Sequence, residues 1–81
     1  MTNVIFRPER LLARRKELGF SRKRLEKETG IPLSTIYAWE KGKRKPSAEA
    51  LARLAKALNC SIEHFFDQFS YKSSKNGESA V

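Results

Sequence analysis

The chain has 81 residues, with 17 Lys and Arg against nine Asp and Glu, for a formal net charge of +8. A domain near this length buries only about 60% of the surface its unfolded chain exposes, which leaves little room for a deep catalytic cleft and favours a binding module over an enzyme. The charge is also uneven: residues 1–60 hold 15 basic and 6 acidic side chains, residues 61–81 hold 2 and 3. Such an asymmetry fits a polyanionic partner, nucleic acid or an anionic membrane surface, better than a merely solubilising surface.

The opening stretch, "MTNVIFRPER", has neither the basic start nor the apolar run of a signal peptide, and no segment has the apolar length that spans a bilayer. A soluble, cytoplasmic protein with no membrane role is expected. Pro8 suits a first helical position, and "PERLLARRKEL" spaces Leu11, Leu12, Arg15 and Leu18 along a helix over 8–18 that Gly19 can stop. Ser21 is a plausible N-cap for "RKRLEKET", with Arg22/Glu26 and Arg24/Glu28 four apart, and Gly30 ends that second helix. After a short turn "LSTIYAWEK" forms a third helix up to Gly42. Pro46 and Ser47 introduce a fourth, "AEALARLAKAL", with Leu51, Leu54, Ala55 and Leu58 on one stripe and Asn59 as C-cap.

Ser61 would cap a fifth helix, "IEHFFDQF", which buries two of its aromatics and leaves Phe69 exposed. Beyond it "SYKSSKNGESAV" is too poor in apolar residues to order itself. The chain therefore reads as all-α: five helices in one domain over residues 1–70, followed by a disordered tail over 71–81. Cys60 is the only cysteine, so no internal disulfide can form, and its apolar neighbours Leu58 and Ile62 suggest a buried thiol in a reducing compartment. One His and one Cys cannot make a structural zinc site within a chain, and His64 reads as a surface residue. No paired acid and base, nucleophile elbow or Gly-rich phosphate loop is present. Neither catalysis, a cofactor nor a small-molecule ligand is inferred.

The third helix has two faces. At about 100° per residue, Ile36 and Trp39 point one way and Ser34, Tyr37, Ala38 and Lys41 the other. Trp39 could stack on single-stranded bases, but its register with Ile36 makes it a core residue. The opposite face mixes small, polar and aromatic side chains that a helix lying in a DNA major groove can use, and it runs straight into Lys43, Arg44 and Lys45.

The stretch "GFSRKRLEKETGIPLSTIYAWEKGKRKPS", followed by "LARLAKALNCSIEHFF", resembles the helix-turn-helix family of phage Cro proteins and repressors, also called the Xre family. Leu25, Gly30, Ile31, Ile36, Trp39, Glu40, Gly42, Lys43, Pro46 and Ser47 stand in the family's usual places, and the resemblance covers residues 8–67. It implies a lambda-repressor-like domain and a sequence-specific, double-stranded DNA-binding transcriptional regulator, acting as a homodimeric repressor on a palindromic operator. No sensing or self-cleavage domain is expected after it.

The two faces of the third helix and the resemblance together assign residues. Leu33, Ser34, Tyr37 and Ala38 are expected at base edges; Arg15, Arg22, Thr35, Lys41, Lys43, Arg44 and Lys45 at phosphates; Cys60, Ser61, Ile62, His64 and Phe69 at a dimer contact. Glu40 is expected to pair with Arg15 and to orient it toward a phosphate. The sequence departs from the family in three places: Arg22 stands where a Gln that contacts the DNA backbone and neighbouring bases is common, Glu26 where a small residue usually sits near the crossing of the second and third helices, and Pro32 and Leu33 where a hydroxyl cap and a polar base-reading residue are usual. With no side chain at the base edges suited to bidentate pairing, discrimination per base is expected to be modest. Two readings from other classes stand beside this one: an antitoxin-type interaction module that blocks a partner through its last helix and tail, and nonspecific binding of RNA or nucleoid through charge.

Overall fold

The computed structural model describes residues 5–67. They form β1 (Ile5–Phe6), α1 (Pro8–Glu17), α2 (Arg22–Thr29), α3 (Leu33–Glu40), α4 (Ala48–Ala57), a single 3-10 turn (Ile62–Phe65) and β2 (Phe66–Asp67). The expected tail over 71–81 and Phe69 lie outside the described residues.

Each helix boundary has a local chemical cause. Pro8 opens α1 where a missing N–H costs nothing. The Ser21 and Ser47 hydroxyls accept from the N–H groups of Arg24 and Ala50, at 3.0 and 3.1 Å, and so satisfy donors that α2 and α4 cannot use internally. Gly30 ends α2 with φ of 79°, a conformation in which a side chain is strained. Beside it the Thr29 hydroxyl donates to the Leu25 carbonyl at 2.7 Å and accepts from the Ile31 N–H at 3.1 Å, which fixes the turn into α3. Asn59 takes the left-handed position after α4, with φ of 54°, while the Cys60 N–H reaches back to the Ala55 carbonyl.

The core is built from the apolar faces these helices share. Leu11 of α1, Leu25 of α2, Ile31, Ile36 and Trp39 of the α3 region, and Leu51, Leu54, Ala55 and Leu58 of the α4 stripe are all buried with Phe65. Trp39 is thus a core residue, whereas Leu18, at the end of the α1 stripe, is exposed. Glu26 is half-buried. The expected pairs of Arg22 with Glu26 and Arg24 with Glu28 do not form among the described residues: Arg22 turns to Glu40, and the Arg24 guanidinium lies 4.1 Å over the Phe20 ring.

The fifth helix is a correction. Four α-helices are present among the described residues, and the segment expected to make a fifth is one 3-10 turn that leads into extended backbone at Phe66. Its carbonyls are used by other parts of the chain: the Arg7 N–H donates to Phe65 at 2.8 Å and an Arg10 guanidinium nitrogen to Phe66 at 3.0 Å. Ile5 and Phe6 then pair antiparallel with Asp67 and Phe66, and the Phe6 and Phe66 rings meet edge to face. Arg14 closes the same side by donating to the carbonyls of Leu58 and Asn59 at 2.9 and 3.0 Å, where α4 leaves acceptors unsatisfied. Among the described residues no helix is long and apolar enough to cross a membrane.

Candidate nucleic-acid interface

α2 and α3, joined through Gly30, form the working unit. Pro32 precedes α3 and offers no side-chain cap; its carbonyl accepts the first helical N–H groups, from Thr35 and Ile36. α3 then buries Ile36, Trp39 and Glu40 and turns Leu33, Ser34 and Tyr37 outward, with Thr35 and Ala38 half-buried at the sides. Tyr37 is 41% exposed, a large ring left in solvent in the middle of the outward face.

α3 ends at Glu40, and Gly42 follows with a φ of 77° that lets its own N–H and that of Lys43 return to the carbonyls of Trp39 and Ala38. That reversal throws Lys43, Arg44 and Lys45 clear of the domain, and all three are exposed, as is Lys41. Lys41 reaches back one turn to bring its ammonium 5.5 Å from the Tyr37 ring.

Glu40 is the buried counterweight. Its carboxylate, 1% exposed, accepts from Arg15 Nε at 2.7 Å and Arg15 Nη2 at 3.1 Å, and from Arg22 Nε at 2.8 Å. Arg15 also donates through Nη1 to the Phe20 carbonyl at 2.7 Å. The expected Arg15–Glu40 pair is therefore present, but Arg15 is buried and occupied rather than turned to the outside. One carboxylate joins two guanidinium groups, so α1, α2 and α3 are locked together by a cluster with a net positive charge.

Sequence reasoning missed that Arg22 belongs to this cluster and that its guanidinium carbon lies 4.9 Å from the centre of the Tyr37 ring. Arg22 and Glu40 are 18 residues apart, and only the packing of α2 against α3 brings them together. Of the residues expected at a dimer contact, Ser61, Ile62 and His64 are exposed and Cys60 is half-buried. Burial pushes the Cys60 thiol above its ordinary value, against the opposing charge and hydrogen bond of Arg14.

A helix with an exposed polar and aromatic face, followed by cations that form no ion pair among the described residues and braced by a second helix, is the arrangement of a helix-turn-helix domain. The helix-turn-helix family pattern matches residues 11–65. The chain is 39% identical over 56 residues to the C2 repressor of Salmonella phage P22, a match that covers 69% of this chain and 26% of the repressor. It is 42% identical over 55 residues to an uncharacterised helix-turn-helix transcriptional regulator of Methanothermobacter thermautotrophicus, covering 68% and 77% of the two chains. Among solved structures, the P22 repressor in complex with a synthetic operator aligns with a TM-score of 0.68 at 38% identity, over 72% of this chain and 88% of that one. A restriction-modification controller protein from Aeromonas hydrophila aligns with a TM-score of 0.70 at 29% identity, over 73% and 89%. The chain belongs to the helix-turn-helix family of phage-repressor type, a class of DNA-binding transcriptional regulators.

Proposed function

We propose that this protein binds a specific double-stranded DNA operator as a homodimer and represses transcription from it, with no catalytic step and no cofactor. The observation that carries the reading is the exposed face of α3, with Leu33, Ser34 and Tyr37 outward and Lys41, Lys43, Arg44 and Lys45 beside it. That arrangement can seat a helix in the major groove while cations track the backbone. The solved complex of the P22 repressor with a synthetic operator supports it from a relative 38% identical.

In this reading Leu33, Ser34, Tyr37 and the edge of Ala38 meet bases, Thr35, Lys41, Lys43, Arg44 and Lys45 hold phosphates, and Arg15 supports the face from below. A single short helix covers too few base pairs for useful selectivity, so two copies stand about one duplex turn, about 34 Å, apart. The exposed surface of Ser61, Ile62 and His64, next to Cys60, is the proposed contact between copies.

Selection of bound sequences from a random duplex pool tests the reading. The expected result is a pair of two-fold-related half-sites at that spacing, bound far more tightly than random duplex or RNA. A pool with no enriched sequence overturns DNA specificity. A single unrepeated half-site, with a monomer on operator in sedimentation, overturns the dimer.

A further inference from the structure

The outward face of α3 carries no Arg, Asn or Gln of its own, yet the structure brings a guanidinium to it from α2. Arg22 is held on two sides. Its Nε donates to Glu40 Oε1 at 2.8 Å, and Glu40 is itself fixed by Arg15; its guanidinium carbon sits 4.9 Å from the exposed Tyr37 ring. The side chain is one-third exposed, and Nη1 and Nη2 take no partner among the described residues.

We infer that Arg22, anchored by Glu40 and lying over the Tyr37 ring, reads one guanine in each half-site through its Nη donors. The inference rests on the DNA-binding reading and names a base-reading residue within it. A phosphate asks only for a nearby positive charge, which the exposed Lys41, Lys43, Arg44 and Lys45 supply from mobile stems. A guanine edge asks for two coplanar donors matched to O6 and N7. A guanidinium whose Nε is tied to a buried carboxylate and which lies over a ring has lost rotamer freedom before DNA arrives, and it offers those two donors at reduced entropic cost. The Arg22 site thus has the rigidity that base reading rewards, beside the ring that the proposed function seats in the groove.

The experiment uses the full chain and the selected operator. Each guanine is replaced in turn by 7-deazaguanine, which removes only the N7 acceptor, and affinity is measured for the wild type, Arg22→Lys and Tyr37→Leu. At one guanine per half-site the wild type should lose about 5- to 150-fold. At that position Arg22→Lys should lose no more than about twofold, because an ammonium keeps the charge but has neither the planar fork nor the Nε that Glu40 anchors. Tyr37→Leu should blunt the same penalty, Arg22→Lys should keep the preference at the other positions, and circular dichroism melts of both variants check that they fold.

Several results would overturn the inference. One is a wild type for which no 7-deazaguanine costs more than about twofold, a test that needs no variant at all. Another is Arg22→Lys retaining the full penalty at every guanine. A third is an Arg22→Lys that weakens operator and random duplex alike with an unchanged guanine preference, which makes Arg22 a phosphate ligand. If the wild type enriches no sequence from the random pool, the DNA-binding reading itself fails and takes this inference with it; the other outcomes leave that reading standing.

Discussion

Arg15 and Arg22 beneath α3, and Lys43, Arg44 and Lys45 beyond its end, carry the same sign of charge in opposite surroundings. The two arginines share one carboxylate that is 1% exposed, and Arg15 itself is buried. The three residues of the loop are exposed and form no ion pair with a described residue. Moving a charge out of water is expensive unless it is paired, so the first group is tied into the fold and its removal is felt as lost stability. The second group keeps its hydration and its mobility, and is felt only when a polyanion arrives. A net charge of +8 therefore overstates what the fold offers to DNA, since part of it is committed to holding the reading helix in place.

The sharpest way to break this contrast is at Glu40. Glu40→Ala leaves the buried Arg15 guanidinium without its carboxylate and should cost about 3 to 5 kcal/mol of folding stability, a large part of the stability of so small a domain. Urea or thermal unfolding followed by circular dichroism measures it. Combining Arg15→Met and Arg22→Met with Glu40→Leu should recover most of the loss, because apolar side chains of similar size need no partner. A Glu40→Ala protein that melts like the wild type would dissolve the distinction between the two sets of cations.

Much of this division was legible in the sequence, and the reasons differ by region. The helices α1 to α4 and the α4 stripe follow from period-3.6 spacing and from caps such as Ser21, Ser47 and Gly30, whose causes are local. The two faces of α3 follow from the same period, which put Trp39 in the core. The fifth helix failed because its decisive bonds are not local: Arg7 and Arg10, far away in sequence, use the carbonyls of Phe65 and Phe66, and β1 offers Phe66 an extended partner. The role of Arg22 failed for the same kind of reason. At four residues from Glu26 it looks like a helix-surface ion pair, whereas the packed domain gives it a buried carboxylate and a ring 18 and 15 residues away.

Tyr37 stands on the border between the two regions, with Arg22 on the ring at 4.9 Å and Lys41 at 5.5 Å. Tyr37 is 41% exposed, so Tyr37→Ala should leave the fold largely intact but cost about 1 to 3 kcal/mol of binding on operator and much less on random duplex. Trp39→Ala, one side of the helix away, should act in the reverse sense and cost about 3 to 5 kcal/mol of stability. Fluorescence-anisotropy titrations and melts on the same two proteins check both. Equal losses on operator and random duplex for Tyr37→Ala, together with a stable Trp39→Ala, would mean that the faces of α3 are assigned backwards.

Arg22→Gln is an intermediate case by construction. Glu40 keeps both of its bonds to Arg15 when Arg22 is lost, and the removed side chain was already one-third exposed. The expected stability loss is about 1 to 2 kcal/mol, the net worth of one hydrogen bond to a charged group reduced by the partial exposure of Arg22, against the larger loss at Glu40. A melt that fell as far as that of Glu40→Ala would show that the two arginines are equally structural, and would narrow the part of the cluster available to DNA.

The smallest effect on folding is expected where the largest dependence on salt lies. Lys43 and Arg44 are exposed and reach no described acidic partner, so Lys43→Ala and Arg44→Ala should each change stability by no more than about 0.5 kcal/mol. On DNA, each phosphate contact releases about one condensed counterion, and the slope of log affinity against log salt should flatten by about one unit for each lost contact. Because no base is involved, operator and random duplex should weaken together, which separates these residues from Tyr37 and Arg22. Titrations at several salt concentrations on both duplexes read all of this at once. An unchanged slope in both variants would remove the loop from the interface, and a slope change confined to operator would mean that the loop touches bases after all; a flattening on both duplexes with an unmoved melting curve is what mobile, hydrated cations must give.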